Sequence, residues 1–494
     1  RNSWIQDCSV SISPTTTFMA IAYQDKAVFL EGKIRDPTGF KSSSSFVVSS
    51  KGVLQEEPGE IVTDILCLPL VSLKRSSHGS TDWTCVVVGF STGYVRMYTE
   101  TGSLIISQLL HEIPVVQLNC RTYEGNKTSH NNSAEVGDEL TILYNDTLIV
   151  IDGFILFINK LKIHFISPAA ASGMTSIDPP PLSYKKWILR GLGPIKSHVS
   201  PGTIVLNPFD QMHTASILGG FNATVSTNLP TMSQYVTVGT SPFVGFSYAL
   251  DGTSQPLLSH VALAVASKLK SALFNAASGW LSWGKGAKPS EDQSKQKPKV
   301  ELGTPLDIRS GLPDLRRQGH SIVLAPSAWL GATTDSFGRV MLLDLNKGYA
   351  LRIWKGYRDA QIAFVRSHDD TQKHRHSSSP PRSALFLVIY APRRGLLEIW
   401  SCINGPRVGA FNISKNARLL CPGYKMFGMN NSSITHTPSM LECCVLGTDG
   451  EVQVITVPFH LALSDPGSHK ARDIHLLKKV GQLLHKKKTG AVII

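Results

Sequence analysis

Hydrophobic and polar positions alternate most cleanly between Ser321 and Trp354, in SIVLAPSAWLGATTDSFGRVMLLDLNKGYALRIW. Val323 precedes Ala325-Pro326, Leu330 and Ala332 follow, and Asp335-Ser-Phe-Gly338 interrupts the run. Val340 and Leu342 then alternate as far as Asn346-Lys-Gly348, and Ala350 to Trp354 closes the unit. A period of two between tight turns predicts antiparallel strands and leaves little room for a helix. A glycine after Asp-Ser-Phe suits a turn position that needs positive φ.

The pattern recurs. Gly93-Tyr-Val95-Arg-Met97, Gly338-Arg-Val340-Met-Leu342, Gly395-Leu-Leu397-Glu-Ile399 and Gly450-Glu-Val452-Gln-Val454 each place apolar residues two and four positions after a glycine. Ser13-Pro14 with Ala20 and Ala22 repeats Ala325-Pro326 with Gly331 and Ala332. A divergent repeat of this kind predicts an all-β fold, a β-propeller of seven WD-like blades. Further strands are expected in 4–31, Ile61–Leu73, Trp83–Ile106, 114–120, 140–158, Thr203–Asn207, Gln234–Val238, Phe243–Leu250, Ala384–Ile413 and Met440–Val457. The Ser-rich stretch 36–58 and the polar stretches 121–138 and 366–383 read as loops. Residues 161–186 share no period, and prolines at 179–181 exclude a helix there, so 159–202 yields no blade boundaries.

Residues 256–283 follow a different rule. Helical spacing puts Leu258, Val261, Val265, Leu269, Leu273, Trp280 and Trp283 on one broad face, opposite mostly Ser, His260, Lys268 and Asn275. Such a helix is about 40 Å long at about 1.5 Å per residue. Its apolar face must be covered, either by the propeller or a partner, or by lipid. Few charges and insertable Phe and Trp suit a lipid-packing sensor. The organisation expected is a propeller over 1–465, holding this helical insertion and a disordered, lysine-rich linker at 284–303. A basic helical segment at 466–494 follows, leading towards a C-terminal region outside this chain. Starting at Arg1 rather than Met, with no signal peptide, the chain reads as a fragment.

Its 494 residues and 42% hydrophobic content suit a large globular core. The net charge of +13 gathers in the linker and the C-terminal segment, with few aromatics among the lysines. That pattern argues against nucleic acid as a partner. Eight scattered cysteines make no C-x-x-C pair and read as reduced, buried thiols. No apolar run reaches the length of a membrane span.

No motif for catalysis, cofactor or metal survives its context. Gly89-Phe-Ser91-Thr-Gly93 matches a nucleophile elbow, but a strand follows it where the elbow needs a helix. Gly279 to Lys285 nearly matches a phosphate loop, yet Gly286 replaces the magnesium-binding Ser or Thr. His368, His374 and His376 lie in a Ser/Pro-rich loop without supporting cysteines. Arg316, Arg317, Arg393 and Arg394 qualify as arginine fingers by residue type only. The chain therefore reads as a non-enzyme.

Six longer stretches carry a resemblance: WTCVVVGFSTGYVRMYTETG (83–102), NPFDQMHTAS (207–216), QPLLSHVALAVASKLKSALFNAASGW (255–280), IWKGYRDAQIAF (353–364), APRRGLLEIW (391–400) and VPFHLALSD (457–465). Together they resemble the N-terminal region of the regulatory, non-catalytic subunit family of the Rab-three GTPase-activating complex. The resemblance covers most of 1–480 and departs at 159–178 and in the three loops named above. It implies a cytoplasmic protein, peripheral at the endoplasmic reticulum, that pairs with a separate catalytic subunit carrying the arginine finger. It also implies Rab small GTPases as partners, with support of GTP hydrolysis on Rab-three and of nucleotide exchange on Rab-eighteen. No catalytic residue transfers onto this chain, and no cofactor is implied. The alternative is a membrane-tethering propeller that binds lipid or another partner without regulating a GTPase.

Overall fold

The computed structural model describes residues 4–33, 45–71, 81–122, 137–153, 182, 184–204, 232–250, 300–369, 382–427, 440–463, 473, 476 and 477. Their strands run in order as antiparallel meanders. The first holds β1 (Ser9–Ile12), β2 (Phe18–Tyr23), β3 (Lys26–Lys33) and β4 (Ser45–Val53). The second holds β5 (Val62–Leu70), β6 (Trp83–Phe90), β7 (Tyr94–Tyr98) and β8 (Leu104–Leu109). The third holds β9 (Gln117–Arg121), β10 (Glu139–Leu143), β11 (Thr147–Asp152) and β12 (Lys185–Arg190). The fourth holds β13 (Ile195–Ile204), β14 (Met232–Gly239), β15 (Val244–Leu250) and β16 (Thr304–Leu312). The fifth holds β17 (Gly319–Leu324), β18 (Leu330–Asp335), β19 (Arg339–Asp344) and β20 (Tyr349–Lys355). The sixth holds β21 (Gln361–His368), β22 (Ser383–Ala391), β23 (Leu396–Ser401) and β24 (Arg407–Asn412). Among the described residues the last meander has three strands, β25 (Arg418–Leu420), β26 (Cys444–Leu446) and β27 (Val452–Val454). A one-turn helix, α1 (Trp4–Asp7), precedes β1, and a short 3-10 helix at Phe459–Leu463 follows β27.

The meanders form a ring. The first strand of each packs on the first strand of the next, and β25 packs on β1. Alternation explains why. Val86 and Val88 of β6 enter the core shared with Phe18, Ala20 and Phe29 of the first meander. Cys85 and Val87 point the other way, to Leu118, Leu140 and Ile142 of the third. With both faces buried, a strand such as TCVVVGF is buried at every position and apolar at nearly all of them. One such core lies between each successive pair of meanders. Another joins Ile5, Ile12 and Met19 to Leu420, Leu441 and Cys444, closing the circle. This is β-propeller architecture, as the repeat predicts.

A polar clasp repeats along the inner strands. The backbone N–H of Cys67 donates to Ser11 Oγ (2.9 Å), that of Leu118 to Asp64 Oδ2 (2.7 Å), and that of His198 to Gln117 Oε1 (2.8 Å). Ile322 N–H donates to Ser197 Oγ (3.3 Å), and Leu419 N–H to Gln361 Oε1 (2.6 Å). Each bond ties one meander to its predecessor. At the closure Arg418 donates to the carbonyls of Ile5 and Cys8, and Gln6 to that of Ala417.

Three expectations need correcting. The Ser-rich stretch 36–58 contains β4, which pairs with β3 on one side only and needs no buried alternation on its exposed positions. The expected loop 366–383 starts late, because β21 runs through His368. The strand expected at Thr203 begins at Ile195. Sequence reading also passed over β16, which pairs antiparallel with β15 and parallel with β12 and so joins two meanders into an eight-stranded sheet.

Candidate docking face

In an up-and-down meander, the turn from second to third strand and the link to the next meander lie at the same end. Here they bond to one another all round the ring. In the first meander, Leu54 N–H donates to Asp25 O and Val62 N–H to Gln24 O. The Ser91–Gly93 turn exchanges bonds with Ile61, and Val115 N–H reaches Phe90 O. Ile195 N–H donates to Asn145 O, Gly193 N–H to Ser241 O, and Ser336 N–H to Gln318 O. Tyr357 N–H donates to Gly338 O, and Ile413 N–H to Gly395 O. All four repeat glycines take positive φ at these turns: 88° at Gly93, 70° at Gly338, 63° at Gly395 and 84° at Gly450. The turns from second to third strand and the links between meanders are described throughout from Gln24 to Asn416.

The face is bipolar. Over the fourth to sixth meanders and the link that follows, Lys196, Arg316, Arg358, Arg393, Arg394 and Lys415 are exposed. Several are held in place: Arg393 pairs with Asp359, the exposed counter-charge, and the Arg394 guanidinium lies 5.9 Å from the Tyr357 ring centroid. Leu315 is 95% exposed and Phe337 48%, with Arg339 over the Phe337 ring at 5.4 Å. Over the first to third meanders, Glu56, Glu112 and Asp146 are exposed and Asp25 and Glu57 are half-buried, with Lys26 and Arg190, which ends β12 next to the Leu189–Asp146 bond, as exposed counter-charges.

Beneath the acidic half sits a buried pair. Arg96 NH1 lies 2.7 Å from Glu60 Oε2, and its Nε 3.0 Å from Glu56 Oε2, while its guanidinium covers the Phe90 ring at 4.2 Å. Burial works against the charge of Glu60, but bonds from Arg96 and Thr92 more than offset it and hold the carboxyl below its usual range. Burial, and then Lys186, lower the pKa of His111.

The sequence candidates separate here. Arg316, Arg393 and Arg394 come together on the basic half. Arg317 does not join them: it pairs with Asp314 (3.3 Å) and Asp335 (3.2 Å) and stacks on Phe243, which is a structural role. Gly89–Gly93 forms a strand-to-strand turn rather than an elbow, with Ser91 Oγ accepting from Ile61 N–H. The predicted helix bearing Leu258, Val261, Val265, Leu269, Leu273, Trp280 and Trp283 lies outside the described residues, as do Gly279–Gly286, His374 and His376. Leu250 and Thr304, which flank that stretch, end their strands at the opposite face. The eight cysteines are all free thiols, and burial pushes Cys67 and Cys402 up to about 12. Among the described residues no three His, Cys, Asp or Glu are grouped to hold a metal. No described helix is long and apolar enough to cross a membrane. Sequence reading missed the bipolar face itself. Its signal lay in the linking stretches, where LQEEPGE (54–60) and HE (111–112) contrast with LRR (315–317) and RR (393–394).

A family model described as the Rab3 GTPase-activating protein regulatory subunit N-terminus matches residues 4–420. The chain belongs to this family. The match contains the whole face from Gln24 to Asn416. A Caenorhabditis elegans protein named Rab3 GTPase-activating protein regulatory subunit is 32% identical over 174 residues, which is 35% of this chain and 12% of that relative. The alignment thus spans only a small part of the relative's length. Among solved structures, the chain is similar to Chaetomium thermophilum Sqt1 bound to the N-terminus of ribosomal protein L10, at 13% identity and a TM-score of 0.41. That match covers 90% of this chain and 83% of the other. The C-terminal WD40 domain of Sif2 is similar at 10% identity and a TM-score of 0.38, over 91% and 95% of the two chains.

Proposed function

We propose that this chain is the propeller of a non-catalytic regulatory subunit that holds the catalytic subunit of a Rab GTPase-activating complex. In this role it supports GTP hydrolysis on Rab-three proteins, and nucleotide exchange on Rab-eighteen, in the cytoplasm at the endoplasmic reticulum surface. The family match over 4–420 carries the reading. The architecture supports it, since a propeller offers rigid, ordered turns for binding. The test combines purified chain, catalytic subunit and GTP-loaded Rab, and follows phosphate release. The expected result is no hydrolysis by the chain alone, co-purification with the catalytic subunit, and faster hydrolysis by the pair. Turnover by the chain alone, or no complex, overturns the reading.

The amphipathic pattern of 256–283 favours a second role beside the first, contact with a membrane surface. Leu269→Glu with Trp280→Glu is then expected to abolish liposome flotation while sparing the complex. Flotation that survives both changes removes the lipid role.

A further inference from the structure

Charge on the described face is divided by position around the ring, and the division has a consequence for what can lie on it. The exposed cations Lys196, Arg316, Lys355, Arg358, Arg393, Arg394 and Lys415 gather on one arc with Asp359 among them, and Glu56, Glu112 and Asp146 gather on the other with Lys26 and Arg190 among them. An anionic membrane attracts the first arc and is repelled by the second, and so is a nucleic-acid backbone. A protein surface can carry both signs in register. The composition of the basic arc agrees: it has five arginines counting Arg339, more than its lysines, and two of the arginines are steadied by Asp359 and Tyr357. Arginine's planar fork suits carboxylates, and pre-oriented side chains lose less freedom on binding. Leu315 and Phe337 stand exposed beside these arginines, as anchors stand at the centre of protein interfaces.

We propose that this face docks a protein partner of opposite polarity, with an acidic patch over the Arg316–Lys415 arc and a basic patch over Glu112 and Asp146. Like charges meet in the reversed pose, so the polarity also fixes which way round the partner sits. The inference rests on the regulatory-subunit reading, and the probe is the catalytic subunit of that complex.

The test measures affinity for that subunit with two reversed chains. One carries Arg316→Glu, Arg358→Glu and Arg394→Glu; the other carries Glu112→Lys and Asp146→Lys. Glu56 is left alone because it pairs with Arg96. Lys347→Glu, at an exposed turn on the opposite face, serves as control. Circular dichroism melts establish that each variant is folded. Each reversal is expected to weaken binding by about tenfold or more, mainly through slower association, with the control unchanged. Wild-type association is expected to slow steeply between about 50 and 500 mM salt; this measurement stands even if a variant fails to fold, and a flat salt response counts against the proposal. If wild type binds and both folded reversals bind equally well, the docking proposal falls while the regulatory reading stands. If wild type binds no catalytic subunit, both fall. If the Arg316 set alone matters, and the wild-type chain binds vesicles of phosphatidylserine and phosphatidylcholine through it, the face is a lipid surface and the proposal is overturned.

Discussion

Gly93 and Gly450 take nearly the same φ, 88° and 84°, but their surroundings differ. A methyl group on Gly93 would sit 1.8 Å from the His111 carbonyl oxygen, whereas one on Gly450 meets nothing within 4 Å. Gly450→Ala is expected to cost only the left-handed backbone strain, about 1–2 kcal/mol. Gly93→Ala must also move the 110–116 link and is expected to cost clearly more; paired denaturant melts compare the two. The glycine turns were legible because each leads an apolar pair at fixed offsets. The matching left-handed residues Thr16 and Ala328 were not, because nothing in a threonine or alanine announces positive φ. Only their neighbours, Ser13-Pro14 and Ala325-Pro326, marked the turn.

His198 gives a pH test at the same scale. It is fully buried, with Nε2 2.7 Å from Thr141 Oγ1 and Nδ1 3.1 Å from Gln117 Oε1, and burial lowers its pKa to about 3. The unfolded chain takes up this proton near the ordinary 6.5, the folded chain only near 3. Stability from this residue is therefore present above 6.5 and lost as pH falls towards 3, by up to about 1.4 kcal/mol per unit. Replacing His198 with Gln should flatten that acid limb in melts across the range. An unchanged limb shows that other groups set it.

At the level of elements, the most informative pair is Arg96 of β7 with Glu60, just before β5. Both are about 1% exposed. Arg96→Met leaves a buried carboxylate uncompensated and is expected to cost about 3–5 kcal/mol. Adding Glu60→Leu should restore much of it, because the cost lies in the stranded charge; no recovery would mean that packing of the guanidinium on Phe90 dominates. Elements differed in legibility for a physical reason. Strands β17 to β20 were readable because alternation and turn glycines coincide. The outermost strands β4 and β16 were not: β4 is exposed at consecutive positions such as Val47 and Val48, so on both faces, and β16 starts Thr304-Pro305 after a polar stretch. The clasp residues Ser11, Asp64, Gln117, Ser197 and Gln361 break the apolar pattern of inner strands, and only the neighbouring meander explains them.

Taken whole, the chain builds its docking face from turns far apart in sequence. Arg316 and Arg394 were visible as residue types, but only the ring places them beside Arg358 and Lys415 and opposite Glu112 and Asp146. The family match was readable from long motifs, because those motifs are the strands and turns of the ring itself. The central claim is that this protein acts by docking through one described face. Hydrogen–deuterium exchange of the chain, free and with the catalytic subunit, tests it most directly. Docking there slows exchange at 54–61, 111–116, 314–318, 356–359, 392–395 and 413–416. Protection confined to opposite-face turns such as 99–103, 345–348 and 403–406 would contradict it.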